Sequence, residues 1–329
     1  MANADPARGQ APHAMIFAGP NGSGKTSLID DIRRSGMATL QGVYPVPERF
    51  INPDQVAKDL RGNFPSQDAR DQAAQSAAVA ARAEAIGSKM SFAFETVMSH
   101  PSRINEMLLL KEQGYRLFLV FITTDDPEKN VERVKFRYET GTTTGHFVAP
   151  DKVRDRYERT LSLLPRAAEV ADNVYIYDNS GDFKRAKLQA TIAEHGPLLV
   201  APDAKLWVSR KLVRPLQQRE RELEQLAAAA KKKGLLLQGA DELRGLYTGP
   251  VLLKTTNFIF QVDTATGAGV IHDRLMLDTA SLGKDHIPRP YGRNEQLTVR
   301  YSLTNAPVVE RHGQVVSLAT KKKMPGPKL

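Results

Sequence analysis

Nine consecutive residues carry the clearest chemistry in the chain: Gly19-Pro20-Asn21-Gly22-Ser23-Gly24-Lys25-Thr26-Ser27. They fit the pattern G-x-x-x-x-G-K-[ST], in which glycines let backbone N–H groups approach phosphate oxygens that a side chain would hold off. In that pattern Lys25 reaches the β- and γ-phosphates of ATP, and the Thr26 hydroxyl holds the accompanying Mg²⁺. An accidental glycine-rich turn is the competing reading, and the flanks argue against it. Ala14-Met15-Ile16-Phe17-Ala18 before the loop reads as a buried strand. Leu28, Ile29 and Ile32 after it recur at helical spacing until Gly36 supplies a stop. Strand, loop and helix together aim backbone amides and a helix N-terminus at one anion.

Further along, Asp54 stands at a strand end, where a carboxylate can accept the proton of a hydroxyl attacking the γ-phosphate. It could equally cap the helical turn that begins at Gln55. Glu95 and Thr96 end an apolar strand, and either close it as polar residues or hold substrate hydroxyls and the Mg²⁺ shell. Arg133, Arg137, Arg154, Arg156 and Arg159 lie on two helices around a Gly/Thr-rich loop at 140–150. Phosphoryl transfer needs positive charge against the moving group, and a guanidinium fork suits it. Two of the five are expected to act there and three to be solvated, with the loop as a lid. The seven histidines are scattered without metal-ligand spacing, and neither a G-x-S-x-G elbow nor any cysteine is present. Acyl transfer, disulfides and thiolate metal sites therefore have no support.

The elements that must position these residues alternate. Strands are expected at 91–96, 115–123 and 174–177, and helices at 68–85, 104–113, from Asp126-Pro127 onward, at 151–164 and at 183–194. That alternation predicts an α/β fold of P-loop NTPase type, a parallel sheet with helices on both faces. Ligands bind beyond the carboxyl ends of such strands. The phosphate loop, Asp54, Glu95, Thr96 and Asn179 all fall at predicted strand ends, which assigns them to one site. Residues 197–204 read as a junction. A charged helix follows over 205–233, interrupted at Pro215, and then a small β-rich module with strands at 258–262, 270–274 and 297–303. Val308-Val309 and Val315-Val316 there flank a hairpin-like turn at His312-Gly313. The division is thus a flexible N-terminus (1–13), a nucleotide domain (14–200), a helical linker (201–233), a β-rich domain (234–319) and a basic disordered tail (320–329).

The 329 residues are 41% hydrophobic, enough for two cores. No apolar run approaches the length of a membrane span, and residues 1–13 lack the apolar core of a secretory signal, so a cytoplasmic place is expected. The net charge of +9 favours anionic partners. The runs Lys231-Lys232-Lys233 and Lys321-Lys322-Lys323 carry part of it and read as solvated faces, which leaves nucleic-acid binding weak and non-specific.

The first two hundred residues resemble the zeta toxin family of P-loop kinases. The likeness rests on 18–27, Asn52-Pro53-Asp54, Phe94-Glu95-Thr96, Arg133-Val134-Lys135-Phe136-Arg137, Gly145-His146, Arg154 to Leu161 and Tyr177-Asp178-Asn179-Ser180, in that order and at matching spacing. The resemblance implies phosphorylation by ATP of a hydroxyl on a UDP-N-acetyl amino sugar. It implies Asp54 as general base, Lys25 and Thr26 on the phosphates and Mg²⁺, Glu95 and Thr96 at the substrate, and Arg137 and Arg156 at the γ-phosphate. A protein antitoxin is its implied partner. The chain departs from the family at Thr144, where a glycine is usual, and at Ala149, an extra residue before Pro150. In the C-terminal part, Gly249-Pro250-Val251, Phe258-Ile259-Phe260-Gln261 and His272-Asp273 are similar to the small KfrB-like domain of plasmid-borne proteins, which implies a binding role. Two alternatives remain open: a P-loop kinase for another metabolite, and a nucleotide-binding module with a DNA or protein partner and little turnover.

Overall fold

The computed structural model describes residues 11–39, 42–52, 56, 64–141, 148–181, 185–280, 291–303 and 306–312. It divides into two compact units, Met1–Arg221 and Glu222–Leu329.

In the first unit β1 (His13–Ala18) leads through the phosphate loop into α1 (Lys25–Ser35), followed by a small hairpin of β2 (Met37–Thr39) and β3 (Gly42–Tyr44). Then come β4 (Phe50–Ile51), α2 (Gln67–Gly87), β5 (Phe92–Thr96), α3 (Ser102–Glu112), β6 (Arg116–Thr123), α4 (Pro127–Glu139), α5 (Pro150–Val170) and β7 (Asn173–Asp178). The sheet is ordered β4-β5-β1-β6-β7 and all five strands are parallel. Helices cover parallel strands on both faces, so such strands must be apolar throughout, and β1 and β6 are buried almost end to end. Met15, Phe17, Phe118 and Val120 pack with Leu28, Ile29 and Ile32 of α1. Each such large side chain contributes roughly 1.5–3 kcal/mol when taken from water.

Local signals start the helices where the sequence places them. Asp126 accepts the Glu128 N–H at 2.9 Å and Pro127 takes the first helical position of α4. Ser66 does the same for α2 through the Ala69 N–H, at 3.1 Å.

The region after β7 differs from expectation. Instead of a helix over 183–194, β8 (Lys187–Ala193) pairs antiparallel with β7, and β9 (Leu199–Val200) pairs with β8. Lys, Gln and Ala favour a helix locally, but the free edge of β7 offers a ladder of hydrogen bonds that outweighs this preference. Residues 197–204 accordingly lie within the first unit and do not divide the chain. Beyond them α6 (Leu206–Val208), a π-helical turn (Ser209–Val213) and α7 (Arg214–Lys232) follow without a break at Pro215. Proline in the first turn of α7 forgoes an N–H that helix starts leave unpaired, and the wider π turn precedes it. Trp207 is buried and donates Nε1–H to Asp178 Oδ2 at 2.8 Å, and Arg219 grips Glu169 at 2.6 and 2.9 Å. The start of this helical stretch is therefore part of the nucleotide domain, and the two units part at Arg221 and Glu222, inside α7.

The second unit is the β-rich module. Its six-stranded sheet is ordered β10 (Leu237–Gly239), β13 (Gly269–Asp273), β12 (Phe258–Val262), β11 (Leu246–Lys254), β14 (Gln296–Arg300) and β15 (Val308–His312), with α8 (Arg274–Ala280) after β13. β15 runs on through His312, so no turn occurs at that residue; Gly313 to Val316 lie outside the described residues. Gln261 holds two backbone carbonyls, Gly249 O and Leu297 O, through Nε2, each at 2.9 Å. Its Oε1 is then the acceptor for His272 Nε2–H at 2.9 Å, and His272 Nδ1 accepts from the Tyr301 hydroxyl at 3.0 Å. Burial holds His272 neutral, with its pKa lowered to about 3.

Candidate functional site

The phosphate loop lies where β1, the middle strand of the parallel set, has β5 on one side and β6 on the other. That is the switch point at which open α/β sheets bind ligands. Its glycines are needed for shape. Gly22 and Gly24 adopt φ of +78° and +94°. A Cβ on Gly22 would come within 2.5 Å of Asn130 O, and one on Gly24 within 2.2 Å of Asn179 Nδ2. Gly24 is also the N-cap of α1, so the helix N-terminus opens directly onto the loop.

Lys25 is 7% exposed. Its ammonium donates to Gly19 O at 2.9 Å and Pro20 O at 3.0 Å and stands 3.6 Å from Glu95 Oε1. Glu95 also accepts from Asn52 Nδ2 at 3.4 Å. Thr96 joins the loop through its carbonyl, which accepts the Gly19 N–H at 3.2 Å, while its hydroxyl accepts the Met98 N–H at 3.1 Å. Thr26 and Ser27 are exposed on the first turn of α1.

Three more side chains shape the loop from distant elements. Asn179, just after β7, donates Nδ2–H to Ser23 O at 2.9 Å. Asn130 on α4 donates to Asn21 O at 2.6 Å. Arg156 on α5 reaches Asn21 Oδ1 at 3.3 Å. Arg133 donates to Asn179 O at 2.8 Å and so supports the residue that supports the loop. Burial would raise the Asp125 carboxyl, but Lys129, Ser180 and Lys205 outweigh it and hold it down to about 2.

The arginines separate. Arg156 faces the phosphate loop, and Arg137 stays near its own helix, with Nε 3.3 Å from Arg133 O. Arg154 grips Glu128 with two bonds of 2.6 and 2.8 Å and also meets Asp151; Arg159 pairs with Asp155. Asp54, Thr144, Gly145 and His146 lie outside the described residues. Asn130 was not singled out from the sequence. Its spacing from Pro127 reads as an ordinary helix position, and only the fold brings it to Asn21.

The loop fits an anion. The loop's tight turns admit no side chains at Gly22 and Gly24, and the fully buried Ser23 hydroxyl makes no hydrogen bond within the described residues. Among the described residues no group of three or more His, Asp or Glu side chains could hold a metal ion, and no helix is long and apolar enough to cross a membrane.

An uncharacterised protein of Haemophilus influenzae is 31% identical over 144 residues, 44% of this chain and 91% of its own length. Among solved structures, the complex of AvrRxo1-ORF1 and -ORF2 with ATP is similar at 18% identity and a TM-score of 0.42, over 59% of this chain and 61% of that one. The chain thus spans less than two thirds of that protein. The PezAT chromosomal toxin–antitoxin system of Streptococcus pneumoniae is similar at 17% identity and a TM-score of 0.41, over 69% of this chain and 90% of that one. The Zeta toxin family model matches residues 2–185, more than half of the sequence. With the phosphate loop, the parallel sheet and Lys25 in place, the chain belongs to the Zeta toxin family of P-loop kinases.

Proposed function

We propose that the protein transfers the γ-phosphate of ATP to a hydroxyl of a UDP-N-acetyl amino sugar. The observation that supports this most is the phosphate loop, with Lys25 poised between two loop carbonyls and Glu95. A triphosphate offers the ammonium more negative charge than those partners do, so Lys25 would turn to it. Gly22, Gly24 and the N-terminus of α1 would then face the phosphates with backbone amides. Arg156 would meet the transferring group from the side of Asn21, and Arg137 is the second arginine assigned to it. The Thr26 hydroxyl would hold Mg²⁺, whose chemistry would be to neutralise charge on the phosphates.

In this reading Asp54 takes the proton of the attacking hydroxyl, and Glu95 and Thr96 hold the acceptor. Asn179 belongs to the nucleotide site through its bond to Ser23 O. Family membership supports a protein antitoxin as partner. The KfrB-like assignment of the second unit, a plasmid setting and weak contact with nucleic acid are further parts of the proposal.

The test is direct. Incubation with ATP, Mg²⁺ and a panel of nucleotide sugars should give a phosphorylated UDP-N-acetyl amino sugar, seen by its mass. Asp54→Asn should keep ATP affinity and lose roughly 10²–10⁴-fold in turnover, the usual worth of a positioned base. Undiminished turnover in Asp54→Asn would return that residue to a capping role. Phosphorylation of some other metabolite alone would replace the acceptor.

A further inference from the structure

Helix α5 carries Arg156 to the phosphate loop, and two buried hydroxyls fix where that helix sits. Tyr157 donates its hydroxyl to Thr124 O at 2.8 Å, and Thr160 donates Oγ1–H to Val97 O at 2.9 Å. Tyr157 is 3% exposed and Thr160 not at all. Val97 directly follows β5 and Thr124 directly follows β6, the two neighbours of β1. Both bonds therefore land at the end of the sheet where the phosphate loop lies.

The contacts close a ring. Gly19 at the start of the loop donates to Thr96 O, and the next residue, Val97, accepts from Thr160. Thr160 stands one helical turn from Arg156, whose guanidinium returns to Asn21 at the tip of the loop. The apolar stripe of α5, with Val153, Leu161 and Leu164 buried, holds the helix against its neighbours but does not define its position along them. Apolar packing is non-directional, whereas a hydrogen bond is short and directional. Two of them, anchored on two different strands, remove sliding and rotation together.

We propose that Thr160 and Tyr157 are positioning residues for phosphoryl transfer. They set the place from which Arg156 meets the phosphoryl group, and they act through Arg156 rather than on substrate. The proposal rests on the kinase reading above. A plain packing role is the alternative, and it predicts lost stability without a specific loss of turnover.

Steady-state kinetics of the full chain with ATP and the nucleotide-sugar panel separate the two. Thr160→Val keeps the volume and removes the hydroxyl; it should lower kcat by roughly ten- to a hundredfold while KM for ATP moves by no more than about threefold, the pattern of misplacement in the transition state. Thr160→Ser restores the hydroxyl and should return kcat to within about threefold of wild type. In an Arg156→Gln background, Thr160→Val should cost less than about twofold more, because the residue through which it acts is gone. Losses that multiply fully in the double variant would overturn the proposal, as would normal kcat in a folded Thr160→Val protein. If Thr160→Val does not fold, Tyr157→Phe carries the same double-variant comparison with the same two outcomes. Wild type without ATP turnover would refute the kinase reading itself, an outcome read on wild type alone, and this proposal falls with it.

Discussion

Gly24→Ala places one methyl group where the loop has no room for it, and its cost can be worked out from the structure. Gly24 has φ +94° and ψ 23°, a left-handed conformation that costs an L-residue about 1.5 kcal/mol. The new Cβ would lie 2.2 Å from Asn179 Nδ2. That amide is the end of a side chain and can swing away, but it then gives up its 2.9 Å bond to Ser23 O, worth about 1 kcal/mol. The free loop can relax into a shape that avoids both terms, so nucleotide binding must supply roughly 2.5 kcal/mol to restore it. ATP affinity should fall by roughly 60-fold. Asn179→Ala alone loses only the hydrogen bond, for a loss of roughly fivefold. In Gly24→Ala/Asn179→Ala the collision is gone and the same bond cannot be lost twice. The double variant should therefore bind about as well as Gly24→Ala alone. Titration calorimetry with a non-hydrolysable ATP analogue reads all three. A double variant weakened by roughly 300-fold, the product of the single losses, would refute the contact between position 24 and Asn179 as the cause. Gly24→Ala within about twofold of wild type would refute the loop shape itself.

Two further predictions concern pH. Burial would raise the Asp172 carboxyl, but the Leu117 N–H, Lys111 and His195 outweigh it, so its pKa is lowered. Its contribution is present above the ordinary carboxylate range near 4 and is lost as pH falls through the lowered folded value. Asp172→Asn should melt a few degrees below wild type at pH 7, with the gap closing as the pH falls through the lowered folded value; a gap that does not change with pH would refute the assignment. His272 runs from a different starting point. Below pH 6.5 the unfolded chain takes up a proton that buried His272 refuses until about pH 3. The second unit should therefore lose up to about 1.4 kcal/mol per pH unit across that window. Protection factors of the β12 and β13 amides, taken against the intrinsic exchange rate at each pH, should fall accordingly, and His272→Gln should flatten the slope. An unchanged slope would show that other groups govern it.

The parallel sheet was legible because strands buried on both faces must be continuously apolar, and β1 and β6 are. Asp126-Pro127 announced its helix for an equally local reason. At β8 the local preference of Lys, Gln and Ala was overridden by the open edge of β7, which nothing in 187–193 itself encodes. The bond of Trp207 to Asp178 has the same character, since a lone tryptophan after a proline-rich stretch carries no sign of its destination. At the site the division repeats. Gly19 to Ser27 could be read directly, because glycine, lysine and hydroxyl occur there at a spacing that chemistry requires. Asn130 and Thr160 could not, because their value lies in the carbonyl that each meets across the fold.

Those cross-fold contacts bear on how the loop's peptide planes are turned. Gly19 O and Pro20 O accept from Lys25, Asn21 O accepts from Asn130, and Ser23 O accepts from Asn179. Four loop carbonyls are thus turned toward protein donors; the Gly19–Pro20 plane has no N–H, but in the other three a carbonyl turned to a protein donor sends the N–H of Asn21, Gly22 or Gly24 the other way. The glycines make this arrangement accessible but also make it entropically costly, since glycine has the most freedom to lose. Donors held just after β7 and on α4 meet part of that cost when the protein folds, before any nucleotide arrives. The short motif therefore encodes the capacity to bind phosphate, while Asn130 and Asn179 hold the loop in the shape that uses it.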